Sequence, residues 1–199
     1  MTDLTVSAPS DVDPRVERSR RVILSAALDV LAEQGYGGLT IEAVAARAGV
    51  GKSTVYRHWS GKLGLVEDAI RSLKSAVASP TTGSVRERLT ELLQQIARAM
   101  DDSAWSNCLP AIIEAAGRDP EVMSIHRRLA SERRQYLVDL LAEGAATGEV
   151  PAGIDLGLLA ECLVGPIILR RLMLYERFDD ASVRQLLDQL LGPGAPPPR

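Results

Sequence analysis

At 199 residues, with 46% hydrophobic but only 4% aromatic content, the chain has apolar material for one compact unit or two small ones. No apolar run reaches the length of a membrane span and no signal-peptide core opens the sequence, which excludes a transmembrane protein and leads us to expect a cytoplasmic one. The net charge of −3 is unevenly spread: Pro14 to Lys62 carries +4, with eight Lys and Arg against four Asp and Glu, and the remainder −7, so a polyanion would be met by one end only.

Residues 1–12 are polar without periodicity and read as a disordered arm. Asp13-Pro14 is a cap and first-turn pair, opening a helix predicted to run to about Gln34. Val16, Ile23, Ala27, Val30 and Leu31 form its apolar face. Arg15, Arg18, Arg20 and Arg21 cluster at its start, equally a solvated face or a set of phosphate contacts. Gly35, Gly37 and Gly38 break this helix, and Tyr36 packs back on it. Thr40 suits the N-cap of a second helix, with Leu39 and Val44 as a hydrophobic staple. Ile41, Val44, Ala45 and Ala48 share one face. Gly49 supplies the left-handed angle that ends this helix, and Val50 plugs the corner. A third helix starts at Gly51. Val55 and Trp59 repeat on its inward face, while Lys52, Ser53, Thr54, Arg57 and His58 form a polar, basic outer face. A short helix, a tight turn and a polar second helix make the helix-turn-helix pattern.

Ser60 opens a fourth helix to about Ala78, with Leu65, Val66, Ala69, Ile70 and Leu73 inward. Ser79 to Gly83 ends it. Ser84-Val85-Arg86-Glu87 is a capping box for a fifth helix with Leu89, Leu92, Leu93, Ile96 and Met100 on one face. Asp101 to Asn107 reads as a break containing Trp105, followed by a sixth helix over Leu109 to Ala116. Asp119-Pro120-Glu121 starts a seventh, reaching about Ala145, with Val122, Ile125, Leu129, Tyr136, Leu137, Leu140 and Leu141 on its core face. Arg127, Arg128, Arg133 and Arg134 form its solvated face. Gly144, Gly148, Pro151 and Gly153 make a long turn. Asp155 caps an eighth helix that is apolar nearly all round from Leu156 to Met173, and Gly165-Pro166 is expected to bend it. Such a helix must be buried on more than one side, and a partner chain is the simplest cover. A ninth helix spans about Ala181 to Leu191, before a Pro/Gly tail that reads as disordered. The expected fold is all-α, with about nine helices divided into the arm (1–12), a helix-turn-helix DNA-binding unit (13–62), a helical unit (63–191) and the tail (192–199).

The stretch from Leu39 to Lys62 resembles the DNA-binding segment of the tetracycline-repressor-like (TetR) family of bacterial regulators. It carries the Thr40-capped helix to Ala48, then Gly49-Val50, then Tyr56-Arg57-His58-Trp59-Ser60-Gly61-Lys62. The match is ungapped and covers roughly residues 15 to 70. Gly51 stands where the family has serine, and Leu63-Gly64 where acidic residues are frequent. The resemblance implies a ligand-binding and dimerisation bundle after the helix-turn-helix, and a homodimer formed through the eighth and ninth helices. It also implies a near-palindromic double-stranded operator, and a repressor released by a small-molecule effector. Lys52, Ser53, Thr54 and Arg57 are the residues expected at base edges and nearby phosphates; Thr40, Tyr56, His58 and Lys62 match positions that hold phosphates. The expected walls of the effector site are Trp105, Cys108, Ile112, Met123, His126, Tyr136 and Ile167.

Two other functions compete. Gly51-Lys52-Ser53-Thr54 resembles the end of a P-loop, which would make the chain a nucleotide-binding enzyme. The first glycine of that motif would have to be Ala46, however, and the preceding segment reads as helix, not strand. A helical interaction protein without DNA binding is the other alternative. No Ser/His/Asp or Cys/His constellation, paired carboxylates or metal-ligand spacing occurs, and His58 and His126 are the only histidines. No catalytic residue, metal or cofactor is therefore expected. Cys108 and Cys162 read as small buried hydrophobes.

Overall fold

The local chemistry of the helix starts sets the frame of the molecule. The computed structural model describes residues 14–74, 80–101 and 103–193, and their side chains apart from those of 74 and 103–105. These residues form α1 (Pro14–Gly38), α2 (Ile41–Ala48), α3 (Lys52–His58), α4 (Lys62–Lys74), α5 (Val85–Asp101), α6 (Ser103–Ala116), α7 (Pro120–Thr147), α8 (Leu156–Leu169) and α9 (Asp180–Leu191), with a π-helical segment, Arg170–Leu174, after α8. The described residues contain no strand. The expected arm, the Asp13 cap, the fourth helix beyond residue 74 with Ser79, and the tail beyond 193 lie outside the described residues.

The first-turn N–H groups of a helix have no partner within it and must find one elsewhere. Thr40 Oγ1 accepts from the Ala43 N–H at 3.0 Å. The capping box closes in both directions: Ser84 N–H donates to Glu87 at 2.9 Å, and Glu87 N–H to Ser84 Oγ at 3.2 Å. Asp119, Asp155 and Asp179 cap α7, α8 and α9. Glu149, beyond the end of α7, accepts from the N–H groups of Val85 and Arg86, each at 3.2 Å, and so completes the start of α5.

Several expectations are corrected. The main helix of α1 does end where expected, at Gln34: Gly35, at φ 67°, is non-helical and kinks the chain, and what the sequence did not indicate is the one further turn to Gly38. Val16 is not on the core face but 44% exposed, because the buried stripe of α1 begins at Ile23. No break spans Asp101 to Asn107; α6 already begins at Ser103. Ser106 there is buried and accepts a bond from Arg171 Nη2 at 3.0 Å, a tertiary partner that offsets the weak helix preference of serine. Gly144 is not in a turn. It lies inside α7, where an added Cβ would be 2.6 Å from Val150 and 2.9 Å from Val85; the helix ends instead at Gly148, φ 80°. Cys162 is exposed, not buried. Arg133 leaves the solvated face of α7: it is half-buried, and burial pulls its guanidinium down to about 10.

Two main apolar cores result. The first unites α1 to α4 and takes in Cys108 and Ile112 from α6 and Ile125 and Leu129 from α7. The second joins α5, α7, α8 and α9 around Leu89, Leu93, Leu141, Leu163, Ile167 and Leu187. Among the described residues no helix is long and apolar enough to cross a membrane.

Candidate nucleic-acid interface

The α2–α3 unit is built from a glycine turn and two anchors. Gly49 takes φ 67°, and the Val50 N–H bonds to Ala45 O at 3.0 Å, the closed geometry that ends a helix sharply. Val50 packs on the first core, so the turn is fixed from inside. α3 then starts at Gly51, whose carbonyl accepts from Thr54 N–H at 2.9 Å. Val55 and Trp59 are buried four residues apart, and this leaves Lys52, Ser53, Tyr56 and Arg57 exposed on the opposite side, with Thr54 and His58 on the flank. The His58 ring lies 5.2 Å from that of Trp59. Thr40 is exposed at the start of α2, and its capping bond uses the hydroxyl as acceptor only.

Seven of the eight expected DNA-contacting residues therefore border one surface. Lys52 carries an exposed pair with Glu42 at 2.9 Å, and the hydrogen bond from Lys52 holds the Glu42 carboxyl below its ordinary range. An exposed pair of this kind is weak and a phosphate can displace it. Lys62 is the exception. Its Nζ donates to Tyr36 O at 2.6 Å and sits 3.8 Å from the Tyr36 ring centroid. Burial lowers its pKa and raises that of Tyr36. Lys62 thus braces the start of α4 against the end of α1. The P-loop-like segment Gly51–Thr54 follows helix α2, not a strand, and forms a helix start.

Residues that the sequence did not single out hold this surface in place. Asp68 of α4 accepts from Trp59 Nε1 at 2.9 Å and from Arg20 Nη2 at 2.6 Å. One residue earlier, Glu67 pairs with Arg128 of α7 at 2.6 Å and with Arg71 at 3.2 Å, and Arg71 also bonds Glu132 of α7 at 3.2 Å. No local pattern marks these partners, since each pair except Glu67–Arg71 joins different helices.

The expected effector walls are not gathered into one lining. Cys108 and Ile112 belong to the first core, Ile167 and Tyr136 to the second, and Met123 borders a small third cluster. His126 is half-buried, and the Trp105 side chain lies outside the described residues. Cys108 is fully buried, donates to Leu28 O at 3.3 Å, and is pushed by burial up to about 11. Gln95 Oε1 of α5 and the hydroxyl of Tyr136, which borders the second core, are buried with no hydrogen-bond partner among the described residues.

Comparison with known proteins follows the same division. A family model described as bacterial regulatory proteins, tetR family, matches residues 23–69, and one described as tetracyclin repressor-like, C-terminal domain, matches residues 79–190. The HTH-type transcriptional regulator YdeS of Bacillus subtilis is 31% identical over 176 residues, covering 87% of this chain and 88% of YdeS. The DNA-binding transcriptional repressor TetR of Mycobacteroides abscessus is 28% identical over 183 residues, 89% of this chain and 94% of that one. Among solved structures, the TetR family transcription regulator SCO0332 superposes with a TM-score of 0.67 at 30% identity, over 90% of this chain and all of the other. FadR of Bacillus subtilis, in complex with stearoyl-CoA, shares the fold at a TM-score of 0.68 and 20% identity, over 87% of this chain and 99% of its own.

Proposed function

The chain belongs to the tetR family of bacterial regulatory proteins and is a DNA-binding transcriptional regulator, and on that footing we propose that it represses by binding a near-palindromic operator as a homodimer and releases it when a small molecule enters the C-terminal bundle. The observation that carries the DNA reading is the exposed polar face of α3, held outward by buried Val55 and Trp59. Arg57 suits bidentate recognition of a guanine. Lys52, Ser53 and Thr54 serve base edges and nearby phosphates, and Thr40, Tyr56 and His58 serve the backbone, which sets affinity and register.

The dimer reading is supported by a stripe on α8 and the π-helical segment that follows it. Leu158 is 58%, Leu169 52% and Met173 70% exposed, and Cys162 and Gly165 are exposed between them, all at helical spacing on one side. A contiguous apolar strip of this length rarely faces solvent. A two-fold partner would cover it with its own copy, with α9 alongside. The two α3 helices would then meet successive major grooves, with half-sites about 34–36 Å apart.

The effector reading draws on α5 and α7. Arg88–Glu143 (2.6 Å) and the approach of Val85 to Gly144 show that the two helices run antiparallel, and each carries one buried polar atom with no partner among the described residues, Gln95 Oε1 and the Tyr136 hydroxyl. A buried polar atom without a partner costs about 1–3 kcal/mol, and these two would be satisfied by a ligand offering a donor and an acceptor. FadR was crystallised with stearoyl-CoA, so acyl-CoA thioesters belong in the screening panel. An effector must favour the form that does not bind DNA, or it shifts nothing.

The test is a mobility-shift titration against DNA flanking the protein's own gene, at two salt concentrations with competitor DNA. Salt-sensitive binding that resists competitor is expected, with one symmetric footprint. Binding abolished by competitor here, and no sequence enriched from a random duplex library, would remove the operator reading.

A further inference from the structure

α4 is held on two sides by neighbouring residues. On the head side, one oxygen, Asp68 Oδ2, accepts both the Trp59 indole N–H (2.9 Å) and an Arg20 guanidinium N–H (2.6 Å). The Arg20 guanidinium also lies 5.7 Å from the Trp59 ring centroid, so the three groups form a closed triangle among α1, the end of α3 and α4. On the bundle side, Glu67 is held by Arg128 of α7 at 2.6 Å. We infer that Asp68 is a positioning residue for the recognition helix α3, and that the Glu67–Arg128 contact carries the position of α7 to the same turn of α4. This inference deepens the DNA-binding reading above and rests on it.

A single hydrogen bond adds direction to an already buried ring. Trp59 is 6% exposed and stays inside through apolar contact alone. Apolar contact is non-directional. An indole offers one donor at one place on a rigid ring, so the bond to Asp68 fixes the rotation of that ring. Trp59 caps α3, its backbone N–H donating to Val55 O at 3.0 Å, and it directly follows Arg57 and His58. Rotation of the ring therefore moves the base-reading end of the helix. Base contacts require placement within about 0.5 Å, whereas phosphate contacts in non-specific binding tolerate far more. Asp68 should thus govern specific affinity and leave non-specific affinity alone. Arg20, held by the same oxygen, locks α1 to this arrangement, so a shift of α4 cannot leave both bonds intact.

The experiment uses the full-length protein and an operator enriched by the wild type from a random duplex library. Dissociation constants are measured for that operator and for a random duplex across several salt concentrations. Asp68→Asn is expected to weaken operator binding about 10-fold or more, the scale of a lost hydrogen bond to a charged group. Random-duplex affinity should stay within about two-fold, with an unchanged salt slope because no phosphate contact is removed. Trp59→Phe removes the N–H, together with part of the buried ring, and should have a similar effect, and the double variant should be no worse than Asp68→Asn. Arg128→Gln, distant from the DNA, should alter operator affinity in the wild-type background and not in Asp68→Asn. Operator binding by Asp68→Asn equal to wild type overturns the inference. So does a parallel loss on operator and random DNA, or additive single effects. Equal effects of Arg128→Gln in both backgrounds overturn the link to α7. If Asp68→Asn loses its helical circular-dichroism signal, Trp59→Phe decides: unchanged operator affinity there overturns the inference. A wild type that enriches no sequence at all removes the DNA-binding reading itself, an outcome distinct from any of these.

Discussion

Gly144→Ala sets two well-calibrated effects against each other. In an ordinary helix interior alanine is better than glycine by about 1 kcal/mol, so a reading of α7 alone expects stabilisation. The packing says the opposite. The new Cβ would lie 2.6 Å from Val150 Cγ2 and 2.9 Å from Val85 Cγ1, well inside the ~3.5–4.0 Å at which carbon atoms rest. Val150 and Val85 are 1% and 2% exposed, and branching at Cβ makes both stiff. Neither can swing aside. Val85 is also pinned through its N–H by Glu149, the residue before Val150. Over-packing of a tight core costs about 1–3 kcal/mol, and two simultaneous overlaps place this site at the upper end. The net expectation is a loss of about 1–2 kcal/mol, or a fall in Tm of about 2–8 °C for a chain of this length. Urea and thermal unfolding should be followed at fixed protomer concentration, since dimer dissociation contributes. In a Val150→Ala background the penalty should shrink by roughly half, because the closest contact is gone. A Tm that rises on Gly144→Ala would refute the reasoning: propensity would then dominate and the gap would have closed by a cheap shift.

Arg57→Ala should weaken operator binding by about 1–3 kcal/mol and relax selection at one base pair, measurable by repeating the enrichment with the variant; an unchanged sequence preference would remove Arg57 from base reading. Leu158→Glu with Leu169→Glu should yield monomers in sedimentation velocity at micromolar concentration, since two charges would face their own copies in the covered stripe; a persistent dimer would place the interface elsewhere. In the same variant Cys162 should react quickly with a thiol reagent and more slowly in wild type, while Cys108 stays inert in both. Cys108 also contributes a pH-dependent term. Its thiol is pushed from the ordinary 9.0 up to about 11 by burial, so the folded state holds the proton longer. The contribution is fully present below about pH 9 and is lost as pH rises toward about 11, on the order of 2–3 kcal/mol. Denaturation midpoints of wild type and Cys108→Ala should converge across that window, and parallel curves would count against the buried thiol.

What could be read directly from the chain shares one property: its cause lies within a few residues. Thr40, the Ser84–Glu87 box, Asp119 and Asp155 announce helix starts because their acceptors reach N–H groups two or three residues on. The outward face of α3 was legible for a similar reason, since Val55 and Trp59 fix its inward side. Where distant partners decide, local reading fails. Gly144 looks like a turn residue, and its real role depends on Val85, far back in the chain. Ser106 sits in a polar stretch that resembles a break until Arg171 is brought to it. Asp68, Glu67 and Glu149 look like ordinary surface acids, and Lys62 like a free cation. The effector walls were the least legible part. Cys108, Ile112 and Ile167 are all apolar residues on helices, and nothing in their types tells that the first two serve one core and the third another.

The first core has a consequence for protein engineering. Its floor is supplied by Cys108 and Ile112 of α6 and Ile125 and Leu129 of α7, so the DNA reader has no complete hydrophobic interior of its own. Cutting the chain after α4 would strip those four residues away and leave a greasy underside facing water. A biosensor made by grafting the α1–α4 head of one regulator onto the bundle of another would therefore join two mismatched halves of a single jigsaw. Chimeras that carry their own residues at 108, 112, 125 and 129 along with the head should fold where simple cut-and-paste designs aggregate.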